Sequence, residues 1–175
     1  MKRKSRNARM NAIEQQDNIT KQIKKFLKKE GCTVYGARSI NAQTGIMTRP
    51  TNDWDAYSKT PEQTAKKLQR ELDKLVKGDY FYHKPAMHKG TWKVKTIGDD
   101  LIKGTPDDED IADFSKPEKK VKIKIIDGLR YRDLREEIKA KQKSVADPEF
   151  KFRHEKDQRD LDRIKANIKI KRLMK

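Results

Sequence analysis

Stretches of helical period and short runs of alternating polarity follow one another along this chain and predict an α+β fold: a small mixed β-sheet with helices packed against it and a C-terminal helical region. Three observations carry that expectation. Apolar residues recur at steps of three and four before Gly31 and again between Thr60 and Gly78. Residues 80 to 97 read as two strands, in which 92 to 95 alternate apolar with charged side chains, and 121 to 125 show the same alternation, the mark of half-buried strands. The C-terminal stretch returns to helical period with one break at Asp147-Pro148, where proline disfavours a helical residue before it.

The first helix is expected over about residues 12 to 29, with Ile19, Ile23, Phe26 and Leu27 on one stripe and Gly31 just past its end. Cys32-Thr33-Val34-Tyr35 reads as a short β-rich run ending in Gly36-Ala37-Arg38-Ser39, and a further loop leads to a strand beginning near Asp53-Trp54-Asp55-Ala56. A second helix opens at Thr60-Pro61-Glu62-Gln63, where Thr60 caps, Pro61 suits the first helical position and Gln63 completes a capping box. Ala65, Leu68, Leu72 and Leu75 form its buried stripe. Two strands joined by residues 84 to 90 follow, with Trp92 and Val94 alternating against Lys93 and Lys95. The aromatics Tyr80, Phe81, Tyr82 and Trp92 read as sheet packing, and the acidic run Asp107 to Asp110 as a solvated loop. Val121 to Ile125 is a further strand that passes through Asp127-Gly128 into helices over about 132 to 145 and 153 to 172. Leu134 and Ile138 face inward on the first of these helices, and Leu161, Ile164 and Ile168 on the second.

A chain of 175 residues with 33% hydrophobic content suits one domain with a lean core. The expected division is a basic N-terminal arm over 1–11, an α/β core over 12–126 and a C-terminal helical region with a basic tail over 127–175. With 44 Lys and Arg against 27 Asp and Glu, the net charge is +17, a field that attracts polyanions and makes binding salt-dependent. The start carries Lys2, Arg3, Lys4, Arg6 and Arg9 without an acid, and the end carries Lys165, Lys169, Lys171, Arg172 and Lys175 without one. Both termini read as contact arms for nucleic acid, with solubility alone as the alternative. No run approaches the roughly 20 apolar residues of a membrane span, and no apolar signal core follows the basic start. A soluble, cytoplasmic protein with no membrane partner is expected. The single cysteine, Cys32, excludes an internal disulfide and a multi-cysteine zinc site, while His83, His88 and His154 are too scattered to share a metal.

Asp53 and Asp55 stand two apart on the expected strand, so both side chains point one way while Trp54 and Ala56 point into the fold. Two carboxylates side by side repel unless a cation lies between them, and hard oxygen ligands in that arrangement suit Mg²⁺ with substrate phosphates completing its shell. Phosphoryl or nucleotidyl chemistry is the inference. The same spacing recurs at Asp108 and Asp110, outside a strand, and at Asp160 and Asp162, where helical period points the two in nearly opposite directions. Upstream, a turn of small residues at Gly36 lets a triphosphate approach the backbone, with Arg38 and Ser39 supplying a guanidinium and a hydroxyl.

This order of strand, glycine turn and Asp-x-Asp strand resembles the DNA polymerase beta-like nucleotidyltransferase superfamily. The form met by Arg49, Thr51, Asp53 and Asp55 is most similar to the branch holding AbiE-type toxins and small viral nucleotidyltransferases. The resemblance implies a third carboxylate from a later strand, offered by Asp113 within Ile111-Ala112-Asp113-Phe114, and phosphate contacts from Lys141 and Lys156, the latter in a Lys-Asp-x-x-Asp element. Ordinary helix-surface pairing of Lys156 with Asp160 and of Arg153 with Asp157 accounts for that element equally well. The turn departs from the family in reading Gly36-Ala37-Arg38 where Gly-Gly or Gly-Ser is usual. The implied activity is Mg²⁺-dependent transfer of a nucleoside monophosphate from an NTP to a hydroxyl acceptor, an RNA held by the basic termini. Asp53, Asp55 and Asp113 would be both catalytic residues and ligands of two Mg²⁺ ions. Another class of function remains beside it: the same fold serving without turnover as a nucleic-acid-binding module, for example inside a virus particle.

Overall fold

A computed structural model describes the backbone of residues 2–45 and 51–173 and the side chains of 15–45, 51–170 and 173. Helix α1 (Lys2–Lys29) begins ten residues before the expected start, because Lys, Arg, Ala and Met favour helix and no Gly or Pro interrupts them before Gly31. The basic residues of the N-terminal arm are therefore the opening turns of α1, and their side chains lie outside those described. Strand β1 (Thr33–Val34) ends at Gly36, which introduces a two-turn helix α2 (Ala37–Thr44) closed by Gly45 in the left-handed region. Strand β2 (Trp54–Tyr57) carries the aspartates, and helix α3 (Pro61–Val76) follows. Strands β3 (Phe81–Pro85), β4 (Trp92–Thr96) and β5 (Asp110–Ser115) come next.

After β6 (Ile123–Ile126) the chain turns back directly into β7 (Leu129–Arg132), which sequence reasoning had merged into the approach to a helix. Asp127 and Gly128 both have positive φ, 50° and 75°, and this two-residue connection matches the right-handed twist of an antiparallel hairpin. Helix α4 (Leu134–Ala146), a 3₁₀ segment (Pro148–Arg153) and helix α5 (His154–Leu173) complete the chain, with the break at Asp147-Pro148 where proline demands it.

The strands form one seven-stranded mixed sheet in the order β3-β4-β5-β2-β1-β7-β6. β2 runs parallel to β5, and β1 parallel to β7; the remaining neighbours are antiparallel. Val34, Trp54, Ala56, Val94, Ala112 and Phe114 cover one face and pack on Ile23, Phe26 and Leu27 of α1 and on Ala65, Leu68 and Leu72 of α3. This apolar layer is the main core, and the buried Cys32 belongs to it, while Ile40 of α2 and Leu161 and Ile164 of the C-terminal helix are buried outside it. Leu75 is 40% exposed, so the stripe of α3 ends a turn earlier than its spacing implied. The capping box is not formed: Thr60 makes no side-chain cap, and the Ser58 hydroxyl accepts from the Thr60 N–H instead.

On α4 the inward line is charged. Glu137 and Lys141 are its buried residues, whereas Leu134 and Ile138 are only half-buried. The acidic run is not solvated throughout, since Asp108 is buried and accepts from the Tyr82 hydroxyl and the Gly98 and Gly104 N–H groups. Among the described residues no helix is long and apolar enough to cross a membrane.

Candidate active site

Alternation along β2 buries Trp54 and Ala56 in the core and turns Asp55 and Tyr57 to the opposite face of the sheet. Asp53, one step before the strand, follows the same alternation. β5 lies beside β2 in parallel register with Asp55 directly opposite Asp113, and β4 lies beyond it with Lys93 opposite Asp113. A row of Lys93, Asp113 and Asp55 therefore crosses three neighbouring strands. Its far end is closed by Gly36: a Cβ there would come within 2.9 Å of the Asp55 Oδ2, and the residue sits at φ +71°, so only glycine fits.

Burial, then the like charges of Asp53 and Asp113, push the Asp55 carboxyl up to about 7. The positive charges of Arg153 and Lys156 reach it from the junction of the 3₁₀ segment with α5 and oppose the rise. Burial also raises Asp113, although the Lys93 ammonium 3.4 Å from its Oδ2 counteracts it. The other oxygen of Asp113, Oδ1, is buried without a hydrogen-bond partner. Asp53 accepts a bond from the Thr51 hydroxyl, which gives one residue of the Arg-x-Thr-x-Asp-x-Asp pattern a local role; Arg49 lies outside the described residues.

The glycine turn differs from the expected triphosphate cradle. The Gly36 N–H donates to the buried Glu137 carboxylate, whose other oxygen is bound by Arg132. Ser39 is fully buried on α2, where its hydroxyl donates to the Arg132 carbonyl and accepts from the Gln43 amide. That hydroxyl faces the packing of α2 against the end of β7, not a ligand. Arg38 clamps the loop before β2, donating to the carbonyls of Thr51, Asn52 and Asp53 while its guanidinium lies 4.0 Å over the Trp54 ring. These three residues hold the carboxylate strand in place; their polar groups are taken up by the protein itself.

Lys141 is likewise committed. It is buried between α4 and α5, 2.8 Å from Asp157 and 2.7 Å from Asp160, so the expected phosphate contact is replaced by an internal ion cluster. Lys156 is exposed near the carboxylates and, with Phe152, Arg159 and Arg163, lines a hollow of about 320 Å³. A larger cleft of about 1090 Å³ opens one step further along the site strands, at Tyr57 and Ser115, two residues beyond Asp55 and Asp113. Tyr35 and Tyr57 stack there at 4.2 Å, Arg132 donates to the Tyr57 hydroxyl, and Lys116 and Lys139 add charge. The aspartates lie beside this cleft, not in its lining. Arg132, Glu137 and the tyrosine pair escaped sequence reasoning. Tyr35 and Tyr57 share the period-two positions of β1 and β2, which was the one available signal.

Among the described residues no three His, Cys, Asp or Glu side chains surround a common point as metal ligands do. The backbone brings Asp53, Asp55 and Asp113 together, while Lys93 and Thr51 hold two of the carboxylates toward themselves. The donor set nevertheless fits a hard divalent cation: oxygen ligands only, one buried oxygen of Asp113 without a partner, and a crowded Asp55 whose charge is disfavoured as it stands.

No protein-family model matches the sequence, and no curated protein does. Among solved structures, the Megavirus polyadenylate synthase superposes with a TM-score of 0.70 over 89% of this chain at 22% identity. JHP933 from Helicobacter pylori superposes with a TM-score of 0.51 over 83% of the chain at 13% identity. The chain spans 32% of the synthase and 62% of JHP933. At these identities the likeness shows the fold alone, a mixed α/β architecture shared with both.

Proposed function

We propose that this protein is a Mg²⁺-dependent nucleotidyltransferase that moves a nucleoside monophosphate from an NTP to a hydroxyl acceptor, with RNA as the acceptor. The carrying observation is the row of Asp55 and Asp113 on adjacent parallel strands, with Asp53 beside it and the Gly36 backbone closing its end. Likeness of fold to a polyadenylate synthase supports nucleotidyl transfer in general. The Thr51-x-Asp53-x-Asp55 spacing supports a relation to AbiE-type toxins and small viral enzymes.

Asp53, Asp55 and Asp113 are the residues that would hold two Mg²⁺ ions. Bound there, Mg²⁺ supplies Lewis-acid activation of the acceptor hydroxyl and neutralises charge on the phosphates. The chain's own part is positioning and charge. Asp113 would help position the acceptor hydroxyl or take its proton as that oxygen bonds the α-phosphorus, the α–β bridge breaks and pyrophosphate leaves. Arg153 and Lys156, whose charges already reach Asp55, oppose the negative charge gathering on the phosphates. Arg38 and Ser39 act one layer back, by fixing the β2 loop and α2. The basic ends supply long-range attraction for RNA, and the location that goes with this activity is the cytoplasm, or a virus particle if the gene is viral.

A second reading is favoured by one observation: the anion-gripping groups of the turn, the Gly36 N–H and the Ser39 hydroxyl, are already satisfied within the protein. On that reading the fold binds nucleic acid without turnover. Incubation with Mg²⁺, each α-³²P NTP in turn and total RNA separates the two. Label transferred to RNA and lost in Asp55→Asn supports the enzyme; RNA retention without transfer under any nucleotide supports the binding module.

A further inference from the structure

Lys93 occupies a position that neither the activity nor the fold likeness assigns. It lies directly opposite Asp113 in the antiparallel pairing of β4 with β5, and its ammonium is held between two carboxylates, 2.6 Å from the Asp110 Oδ2 and 3.4 Å from the Asp113 Oδ2. Asp110 has a second cation in Lys95, 3.1 Å from its Oδ1. Among the described residues Lys93 is the cation paired with Asp113, and Asp55 lies on its other flank. Lys93 is therefore the local counter-charge that makes an aspartate tolerable next to Asp53 and Asp55.

A divalent cation drawn to the unpartnered Asp113 Oδ1 and the Lys93 ammonium at its Oδ2 compete for the charge of one carboxylate. At contact distance two cations repel strongly even at an effective dielectric of about 20, so they do not share that carboxylate at full strength. We infer that Lys93 is a positioning residue that acts as a built-in counter-cation, which a divalent ion must displace from Asp113. Binding then proceeds in order, first at Asp53 and Asp55, which lack this ammonium, and second at Asp113. The inference rests on the proposed metal-dependent reading of the carboxylates.

The test is titration of the full chain with Mn²⁺ alone at fixed ionic strength, followed by electron paramagnetic resonance of free Mn²⁺, with thermal melts as the check on folding. The wild type is expected to show a tighter and a weaker class of site. Lys93→Gln strengthens the weaker class by about tenfold or more. Lys93→Arg, which keeps the charge, restores the wild-type pattern. Lys95→Gln removes the same charge from the Asp110 side and moves the weaker class less than Lys93→Gln does. Equal Mn²⁺ affinities for wild type and Lys93→Gln, with binding abolished by Asp55→Asn, overturn this inference and leave the metal reading standing. Absence of Mn²⁺ binding in every protein overturns both.

Discussion

Asp53 with Asp55, half-buried on the sheet face away from the core, and Asp157 with Asp160, buried on α5, are two pairs of aspartates treated oppositely. The helical pair closes on Lys141, buried with it, and although burial alone would raise the Asp157 carboxyl, the Lys141 ammonium bonded to it outweighs that and holds it below the usual range. The sheet pair is crowded by Asp113, and Asp55 rises to about 7. Side-chain chemistry is the same in both places; internal compensation differs. A carboxylate cluster that the fold neutralises is part of its architecture, and one left partly uncompensated beside a cleft is where an external cation and its substrate gain most.

The contrast is broken most directly at Asp55. Asp55→Asn is expected to reduce nucleotidyl transfer by at least about 10³-fold while leaving the protein folded, since it removes a ligand oxygen charge but no packing; α-³²P incorporation and far-UV circular dichroism check the two halves. Lys141→Met should act in the reverse sense. It strands two buried carboxylates and should cost about 3–5 kcal/mol in urea unfolding, with any loss of transfer tracking the loss of folded protein.

A pH series sharpens the comparison further. Between about 4 and 7 the folded Asp55 keeps a proton that the unfolded chain has released, so stability of the metal-free protein rises as pH falls through 7 and is lost above it. The contribution is up to about 4 kcal/mol. Unfolding in EDTA at pH 5.5 and 8 should therefore show a difference that Asp55→Asn removes, and Mg²⁺ should raise the melting temperature at pH 8 more than at pH 5.5. The smallest effect belongs to Gly36→Ala. Its backbone, at φ +71° and ψ −148°, lies in a region open essentially to glycine and costs about 1–3 kcal/mol with a side chain, and the added Cβ presses on the Asp55 carboxylate, so a fall in denaturation midpoint with a larger fall in Mn²⁺ affinity is expected.

Period-two alternation was enough to put Asp53 and Asp55 on one face and Trp54 in the core, and the apolar stripes of α1 and α3 were visible for the same reason. The α+β class followed from those signals. The hairpin of β6 and β7 was missed although Asp127-Gly128 is a strong two-residue turn, because the strand after it, Leu129 to Arg132, is short and charged at every second position. Helix α2 hid in a polar stretch whose only apolar anchors are Ala37 and Ile40. The fates of Ser39, Lys141 and the Gly36 N–H were beyond sequence reasoning altogether. Their partners, Arg132, Asp157 and Glu137, are supplied by tertiary packing, and no local pattern records which polar group is already spoken for.

The parallel pairing of β2 with β5 has a kinetic corollary. Parallel neighbours need a long crossover, and here α3 and the hairpin of β3 and β4 fill it, while β1 waits for β7, which begins only at Leu129. Such distant partners must find one another across large loops, which makes their docking a late event in folding. A nascent chain released before β5 has emerged would lack Asp113 and its strand, so the carboxylate row is completed only once β5 has been made and has docked beside β2.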